Sequence, residues 1–332
     1  MMIKKRLQQR ITTGKFVLPV VMLLSVVIWL GVYLIKPVAV FSQSSSLVWQ
    51  LLAPFFLGKP VSLLVNFLLY AVIGYLLIEL NNAFAIIHLR ASIQTSLYLI
   101  VISACPELYS LQMGSVVALS MVASIYFLFQ SYQHTRPSGV IFYSWIFLGI
   151  ASLMFPQLLL FSPLYLIGAY NFQSLNPKSF FAGLIGLMVP FWFLLGYAFY
   201  FNNMEMFYHP FEALCVFEPI NILVLKGWQI VTISFIVFVF IVAVSHSLIN
   251  GWQDKIRTRA YINFFSLMGT CLLALLILQP QHYITIFPLL LVFFSFLAGH
   301  FFALTRSRGS NIFFIISLAG LAALLSYNLL ML

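Results

Sequence analysis

Residues Asn202–Lys226 have the sequence NNMEMFYHPFEALCVFEPINILVLK, which is the one long polar interruption in an otherwise apolar chain. The stretch contains Glu205, Glu212 and Glu218, half of the six acidic residues in the protein. Apolar runs of about 20 residues flank it on both sides. We therefore expect three parts: a seven-span membrane block over residues 1–201, an acidic and aromatic loop over 202–226, and a four-span block over 227–332.

The composition excludes a water-soluble domain. Of the 332 residues, 63% are hydrophobic and only 7% are charged, whereas about a quarter of a soluble domain is charged. The net charge of +10 comes from basic residues in short turns between apolar runs. That pattern favours turns beside an anionic lipid leaflet over a nucleic-acid surface. It predicts an all-α polytopic transmembrane bundle whose partners are membrane lipids, with no nucleic acid.

Each apolar run is predicted to be a helix, because a chain crossing a bilayer must satisfy its own backbone hydrogen bonds. Two of the runs are short, and the fifth and sixth together are alternatively a hairpin that does not cross fully. There are about 11 runs: Phe16–Ile35, Val61–Leu80, Ala91–Cys105, Leu111–Tyr132, Ser138–Phe155, Leu158–Tyr170, Ser179–Phe201, Gly227–Ile249, Ala260–Leu278, Tyr283–Leu304 and Asn311–Leu330.

The distribution of basic residues predicts the orientation. With the N-terminus inside, 13 of the 16 Lys and Arg residues fall in inside segments, and only Lys36, Lys59 and Lys226 fall outside. Short inside loops are enriched in Lys and Arg. We therefore expect an N-inside, C-outside protein, with an even number of spans as the alternative.

Two local patterns add to this map. Gly114, Ala118, Ser120 and Ser124 place small residues along one helix, which is typical of close helix packing near the centre of a bundle. In the first outer loop, three serines precede LVWQLLAPFFLGK, which predicts a short helix lying in the membrane interface.

The spans carry almost no ionisable residue at mid-membrane, which disfavours ion-coupled transport. Glu79, His246 and His300 lie near the inner ends of their spans, where interfacial side chains are common. The candidate catalytic residues are therefore outer ones. Glu107 follows Cys105-Pro106, where it is alternatively a solvated turn residue.

The other candidates lie in the long polar loop. Glu205, His209 and Glu212 have i, i+4, i+7 spacing, which would place an acid/base pair or a divalent-cation site on one helical face. Pro210 is predicted to start a separate short helix that runs to about residue 217 and so breaks this face. The alternative is that the acids simply stabilise the start of a helix on a solvated loop.

Several chemistries lack support in the sequence. Cys105, Cys215 and Cys271 form no CxxC or Cys/His pattern, so no metal site and no cofactor is predicted. Cys105 and Cys215 fall on the same predicted outer side, where a disulfide between them is an option. Motifs for nucleotide binding and for classical hydrolases are absent.

One resemblance covers the chain from Arg90 to about Phe201. The blocks RASIQTSLYLIVISACPELYSLQMGSVVALSMVASIYFLFQSY and GVIFYSWIFLGIASLMFPQLLLFSPLYLIGAYN resemble an uncharacterised family of bacterial polytopic inner-membrane proteins. Their order of helices, an outer Pro/Glu turn, a basic turn and a Pro hairpin is also similar to the membrane half of the GT-C polyprenyl-phosphate-sugar glycosyltransferases.

The GT-C resemblance implies a scaffold that binds or processes a lipid-linked saccharide at the outer leaflet. Enzymes of that group carry an acidic catalytic residue in the first outer loop, but Lys36–Pro60 contains no Asp or Glu. The chemistry would then be lost, or moved to Glu107 or to the Glu205–Glu218 loop. The alternatives are a non-catalytic subunit that assembles with other envelope proteins, and an uncoupled transporter or flippase.

Overall fold

A computed structural model describes residues 7–35, 49–50, 59–87, 92–215, 221–305 and 307–331. Throughout this part of the chain the regular structure is helical, and it contains no β-strand. The all-α prediction is therefore confirmed. The α-helices in chain order are α1 Leu7–Thr12, α2 Val17–Ile35, α3 Lys59–Phe84, α4 Ile93–Ser103, α5 Met113–Gln130, α6 Ser138–Met154, α7 Ser162–Asn171, α8 Pro177–Tyr200, α9 Glu205–Cys215, α10 Gly227–Asn250, α11 Ile256–Leu278, α12 Tyr283–Leu304 and α13 Arg308–Met331.

Eight segments of the described chain are long and apolar enough to cross a membrane, and they are based on α2, α3, α5, α8 and the four helices from α10 to α13. The protein is thus a multi-pass membrane protein. Helices α4 and α6 are apolar but shorter. Helix α7 has ten residues, about 15 Å of helix against a hydrocarbon core of about 30 Å. The predicted total of 11 spans is not confirmed by these lengths.

The helices form two compact units. Unit 1 comprises Met1–Ala39, Tyr70–Ser110 and Asn221–Leu332, and unit 2 comprises Val40–Leu69 and Leu111–Ile220. Each unit therefore combines stretches that are distant in sequence. The division at residues 201 and 226 proposed from the sequence follows chain order instead, and it stays a prediction.

Helix α12 forms the core of unit 1. Its whole apolar stretch is buried, and it packs against α4, α10 and α11. A helix that is hydrophobic on every side suits this central position. Gly299 lets α4 approach closely, because a Cβ atom at this position would lie only 3.2 Å from the Cα of Gln94.

Contacts between helix ends give unit 1 two opposite ends. At the first, which we call the Gln8 end, the side-chain amide of Gln8 donates a 2.7 Å hydrogen bond to the carbonyl of Phe302. At the second, the Glu107 end, the amide of Asn328 donates a 2.7 Å hydrogen bond to the carbonyl of Ala104. The C-terminal ends of α4 and α13 therefore share the Glu107 end, whereas α12 finishes at the Gln8 end.

Unit 2 is held together by small residues. The Ser124 hydroxyl of α5 donates a 2.6 Å hydrogen bond to the carbonyl of Ser144 in α6, and most of α5 is buried. The predicted close packing of this helix is confirmed. Helices α6 and α8 also meet tightly, because a Cβ atom on Gly186 would lie 2.5 Å from the carbonyl oxygen of Phe142.

Candidate functional site

Helix α9 corrects the prediction made for the long polar loop. It runs without interruption from Glu205 to Cys215 with Pro210 inside it, so the expected helix start at Pro210 is wrong. Proline removes one backbone hydrogen bond and crowds the preceding turn. Apolar packing offsets that cost, because Met206 and Pro210 are buried and the rings of Phe191 and Phe211 lie 5.3 Å apart.

The unbroken helix places Glu205, His209 and Glu212 along one stripe with i, i+4, i+7 spacing. Glu205 and Glu212 are exposed, and His209 is half-buried. Glu218 and the predicted interfacial helix near residues 46–58, apart from residues 49–50, lie outside the described residues. No group of three or more His, Cys, Asp or Glu in the described part of the chain is arranged to hold a metal ion.

The opposite, apolar face of α9 forms one wall of a groove in unit 2. Helix α8 and the 3₁₀ turn Pro156–Phe161 form the other walls. The groove has a volume of about 290 Å³, and every side chain that lines it is apolar. Met188 and Trp192 are 63% and 77% exposed, so the groove opens to the outside along α8. Its lining consists of Leu159, Leu187, Met188, Phe191, Trp192, Leu195, Phe207 and Phe211.

Glu107 belongs to unit 1 and is partly buried, so it is not a freely solvated turn residue. The side-chain amide of Gln229 donates a 2.6 Å hydrogen bond to the Oε2 atom of Glu107. The amide of Gln229 is itself oriented, because its Oε1 atom accepts a 2.9 Å hydrogen bond from the backbone N–H of Lys226. The Gln229 side chain therefore both caps the start of α10 and hydrogen-bonds to the carboxylate of Glu107.

Desolvation raises the pKa of Glu107 above its ordinary value. The hydrogen bond from Gln229, the Tyr283 hydroxyl and the positive charge of Lys226 act in the opposite direction and lower this pKa. Burial is the larger influence, so the carboxyl group holds its proton more strongly than an exposed glutamate does. A buried carboxyl group with a raised pKa is a candidate for acid/base chemistry.

Cys105 lies beside this carboxylate as a buried thiol. Burial raises its pKa strongly, and the charge of Glu107 adds to the shift. A thiol of this kind is mostly protonated and therefore a poor nucleophile. The side chain of Cys215 lies outside the described residues, so the disulfide suggested for Cys105 and Cys215 stays a prediction.

A large cavity at the Gln8 end of unit 1 was not predicted from the sequence. It has a volume of about 720 Å³ and includes His246, Asp254 and His300 in its lining. The Nε2 atom of His300 lies 3.3 Å from Oδ2 of Asp254. The sequence predicts only that the two histidines are interfacial residues near the inner ends of their spans. Each lies four residues before the end of its helix. This equal depth in α10 and α12 is the one sequence feature that could have indicated that the two histidines line the same cavity.

These features define the class of the protein: a multi-pass helical membrane protein with an apolar groove beside a polar helix face in unit 2 and a polar cavity in unit 1. No family model matches the sequence, and neither a curated protein nor a solved structure is significantly similar to it. The resemblance to the GT-C scaffold therefore stays a prediction.

Proposed function

We propose that this protein binds the hydrocarbon chain of a lipid-linked saccharide in the groove between α8 and α9, at the outer leaflet of a bacterial inner membrane. The observation that supports the proposal is the chemistry of the groove. All eight lining side chains are apolar, so burying hydrocarbon there is favourable, whereas burying a sugar or an ion is not. The groove also opens along α8, where a lipid chain could enter sideways.

The second face of α9 supports a lipid with a polar headgroup. A short helix with one apolar and one polar face is suited to the membrane interface. Glu205, His209 and Glu212 lie along its polar side, and carboxylates and imidazoles hydrogen-bond well to hydroxyl groups. A lipid whose chain fills the groove would have to extend its headgroup around α9 to reach these three side chains.

The choice of a saccharide headgroup rests on the similarity of residues 90–201 to GT-C scaffolds. If the protein is an enzyme, it is a glycosyltransferase of that kind, and the stripe on α9 supplies its acid/base groups. A non-catalytic envelope subunit or an uncoupled flippase would use the same groove without chemistry on α9. Substitutions in the groove and on the stripe separate these alternatives.

The groove can be tested with a photoactivatable polyprenyl phosphate and the full-length protein in lipid nanodiscs. Leu187→Trp replaces an aliphatic side chain with a bulky indole in the groove, and we expect at least about a tenfold loss of cross-links to α8 and α9 peptides. Ile185→Trp is the matched control, because Ile185 is an exposed apolar residue of the same helix outside the groove. Equal cross-linking of both variants, or cross-links spread evenly over the lipid-facing helices, would overturn the proposal.

The stripe is tested separately with Glu205→Gln and Glu212→Gln in the same nanodiscs. Retained cross-linking with lost transfer of a lipid-linked sugar indicates an enzyme. Retained cross-linking and wild-type behaviour in every envelope assay indicates a non-catalytic lipid-binding protein. Both substitutions preserve size and remove only the charge at exposed positions, so folding is not expected to change.

A further inference from the structure

The cavity at the Gln8 end is formed by residues of unit 1, whereas the groove of the proposed function is formed by residues of unit 2. The C-terminal turns of α10 and α12, the turn Gly251–Gln253 and the first residues of α13 form its walls. Its volume of about 720 Å³ is in the range of small-molecule sites, which span about 300–1,000 Å³. Unlike the groove, this cavity contains histidine, carboxylate, amide and hydroxyl side chains.

One wall of the cavity is the N-terminus of a long helix. Helix α13 begins at Arg308 and has 24 residues, and Ser307, Gly309 and Ser310 line the cavity. The Ser307 hydroxyl accepts a 3.0 Å hydrogen bond from the N–H of Ser310, which orders this first turn. The first N–H groups of a helix and its dipole together attract anions.

Glycine keeps the space in front of this helix start open. A Cβ atom on Gly309 would have only one neighbour within 4 Å among the described residues, the Ser307 hydroxyl oxygen at 3.9 Å. A ligand can therefore come close to the backbone N–H groups. A larger side chain at the same position would occupy that space without a clash.

A buried imidazole gives independent evidence for a missing ligand. The side chain of His300 is only 5% exposed, it lines the cavity, and its Nε2 atom makes no hydrogen bond among the described residues. The nearby Asp254 oxygen is at 3.3 Å but does not meet hydrogen-bond geometry. Buried polar atoms normally have partners, because an unmet one costs about 1–3 kcal/mol. The Nδ1 atom of His246, on the facing helix, is also buried without a partner in the described structure.

The charges around the cavity favour an anion over a cation. Arg308 starts α13, and Lys255 and Arg257 follow Asp254 closely in the sequence. Asp254 is the one acidic residue in the lining. Its Oδ2 atom lies 3.3 Å from the Nε2 atom of His300. The positive features at this helix start are therefore Arg308 and the dipole of α13.

We propose that this cavity binds the phosphate group of a phosphorylated ligand at the N-terminus of α13. The first backbone N–H groups of α13 and the histidines His246 and His300 donate hydrogen bonds to the phosphate. Phe301 and Phe313 supply apolar surface for the organic part of the ligand. The phosphate belongs either to a soluble phosphate ester or to the headgroup of an anionic lipid.

Binding can be measured with the full-length protein in nanodiscs. Titration of glycerol 3-phosphate and of inorganic phosphate into phosphatidylcholine nanodiscs tests the soluble source. Comparison of the thermal unfolding midpoint in phosphatidylcholine nanodiscs with and without phosphatidic acid tests the lipid source. Binding or stabilisation in one arm identifies the source, and a response in neither arm overturns the proposal.

Two glycine substitutions make the test specific to the site. We expect Gly309→Leu to weaken the response at least about tenfold, because the new side chain blocks the helix start. Gly227→Leu is the matched control: Gly227 starts α10 at the Glu107 end, and a Cβ atom added there would have no described atom within 4 Å. An equal response of Gly309→Leu and the parent protein would overturn the proposal, even if both bind phosphate.

His300→Gln provides a second variant that does not depend on blocking space. Glutamine keeps a hydrogen-bond donor but cannot place it where the Nε2 atom of the imidazole lies, so we expect a loss of about threefold to tenfold in affinity. Unchanged unfolding in plain phosphatidylcholine nanodiscs shows that the variant is folded. Unchanged affinity in a folded His300→Gln protein would remove the histidines from the site.

Discussion

Gln229 donates a 2.6 Å hydrogen bond to the carboxylate of Glu107, although 122 residues separate them in the sequence. The bond ties the start of α10 to the 3₁₀ turn Pro106–Leu108 that follows α4. Tyr283 at the start of α12 interacts with the same carboxylate. Three chain segments of unit 1 therefore meet at one acidic group.

The titration of Glu107 predicts a pH dependence of stability. Burial raises the pKa of Glu107 in the folded protein, so the folded state binds this proton more tightly than the unfolded state does. Stability is then highest at low pH and falls as pH rises from the ordinary glutamate pKa, about 4.3, through the raised folded value. We expect Glu107→Gln to flatten this part of the profile.

Thermal unfolding in neutral detergent between about pH 4 and about pH 8 measures the effect. Gln229→Leu removes the hydrogen bond that favours the ionised carboxylate, and we expect a loss of about 1.5–3 kcal/mol at neutral pH and less at acidic pH. Glu205→Gln is the control, because Glu205 is exposed. A profile that is identical in the parent and Glu107→Gln proteins would contradict the prediction.

The hydrogen bonds of Gln8 predict a second effect on stability, and this effect does not depend on pH. Its side-chain amide donates to the carbonyls of Phe302 and Thr305 at 2.7 and 3.1 Å, and its Oε1 atom accepts from the Ser310 hydroxyl at 2.8 Å. Gln8→Ala leaves these buried groups without partners, and we expect a loss of about 1–3 kcal/mol. The neighbouring Gln9→Ala has the same chemistry at a more exposed position and should change stability by less than about 0.5 kcal/mol.

Chemical or thermal unfolding of the two variants in one detergent gives the comparison directly. Equal destabilisation by Gln8→Ala and Gln9→Ala would show that the hydrogen bonds of Gln8 contribute little. An intact network also predicts that Gln8→Glu is destabilising, since a carboxylate accepts hydrogen bonds but cannot donate to the carbonyl of Phe302.

The helical class and most helix positions could be predicted from hydrophobic runs, because a membrane leaves the backbone few alternatives. Gln8 could not be assigned in this way. It lies in a basic N-terminal stretch, and its partners are about 300 residues away, as with the 294-residue separation from Phe302. Burial created by distant contacts leaves no local pattern in the sequence.

Pro210 shows a related limit for the candidate site. Local rules favour a helix start at proline, and the sequence prediction followed them. The structure instead packs Phe211 against Phe191 of α8, a tertiary contact that stabilises α9 across the proline. The i, i+4, i+7 spacing of the acid/base residues was visible in the sequence, but the continuity of their helix depended on this contact.

Two glycines of α8 predict opposite effects of the same substitution. A Cβ atom on Gly186 would lie 2.5 Å from the carbonyl oxygen of Phe142, whereas a Cβ atom on Gly196 would have no described atom within 4 Å. Gly186→Ala must separate α6 from α8, at a cost of about 1–3 kcal/mol. Gly196→Ala should be neutral or stabilising by up to about 1 kcal/mol, because alanine is the better helix former.

The pair is compared by unfolding midpoint and by the yield of folded protein from the membrane. Similar destabilisation by both substitutions would contradict the prediction. It would mean that α8 needs glycine for helix flexibility rather than for close contact with α6. Gly149→Ala offers a check from the other helix, since its Cβ atom would lie 2.9 Å from the carbonyl oxygen of Leu187. It should be destabilising to a similar degree.

The orientation predicted from the basic residues can be tested at the two ends of unit 1. Asn221 and Ser307 are exposed. Asn221 lies five residues before Lys226 at the Glu107 end, and Ser307 lies beside the Gln8-end cavity.

In a variant without the three native cysteines, we expect Asn221→Cys to react with a membrane-impermeant maleimide in intact spheroplasts. Ser307→Cys should react only after the membrane is opened. The positive-inside rule predicts this order because Lys255, Arg257 and Arg308 lie within three residues of the cavity residues Asp254 and Ser307 in the sequence. The reverse labelling order would place the Gln8 end outside, and equal labelling of both cysteines in intact spheroplasts would contradict a fixed orientation.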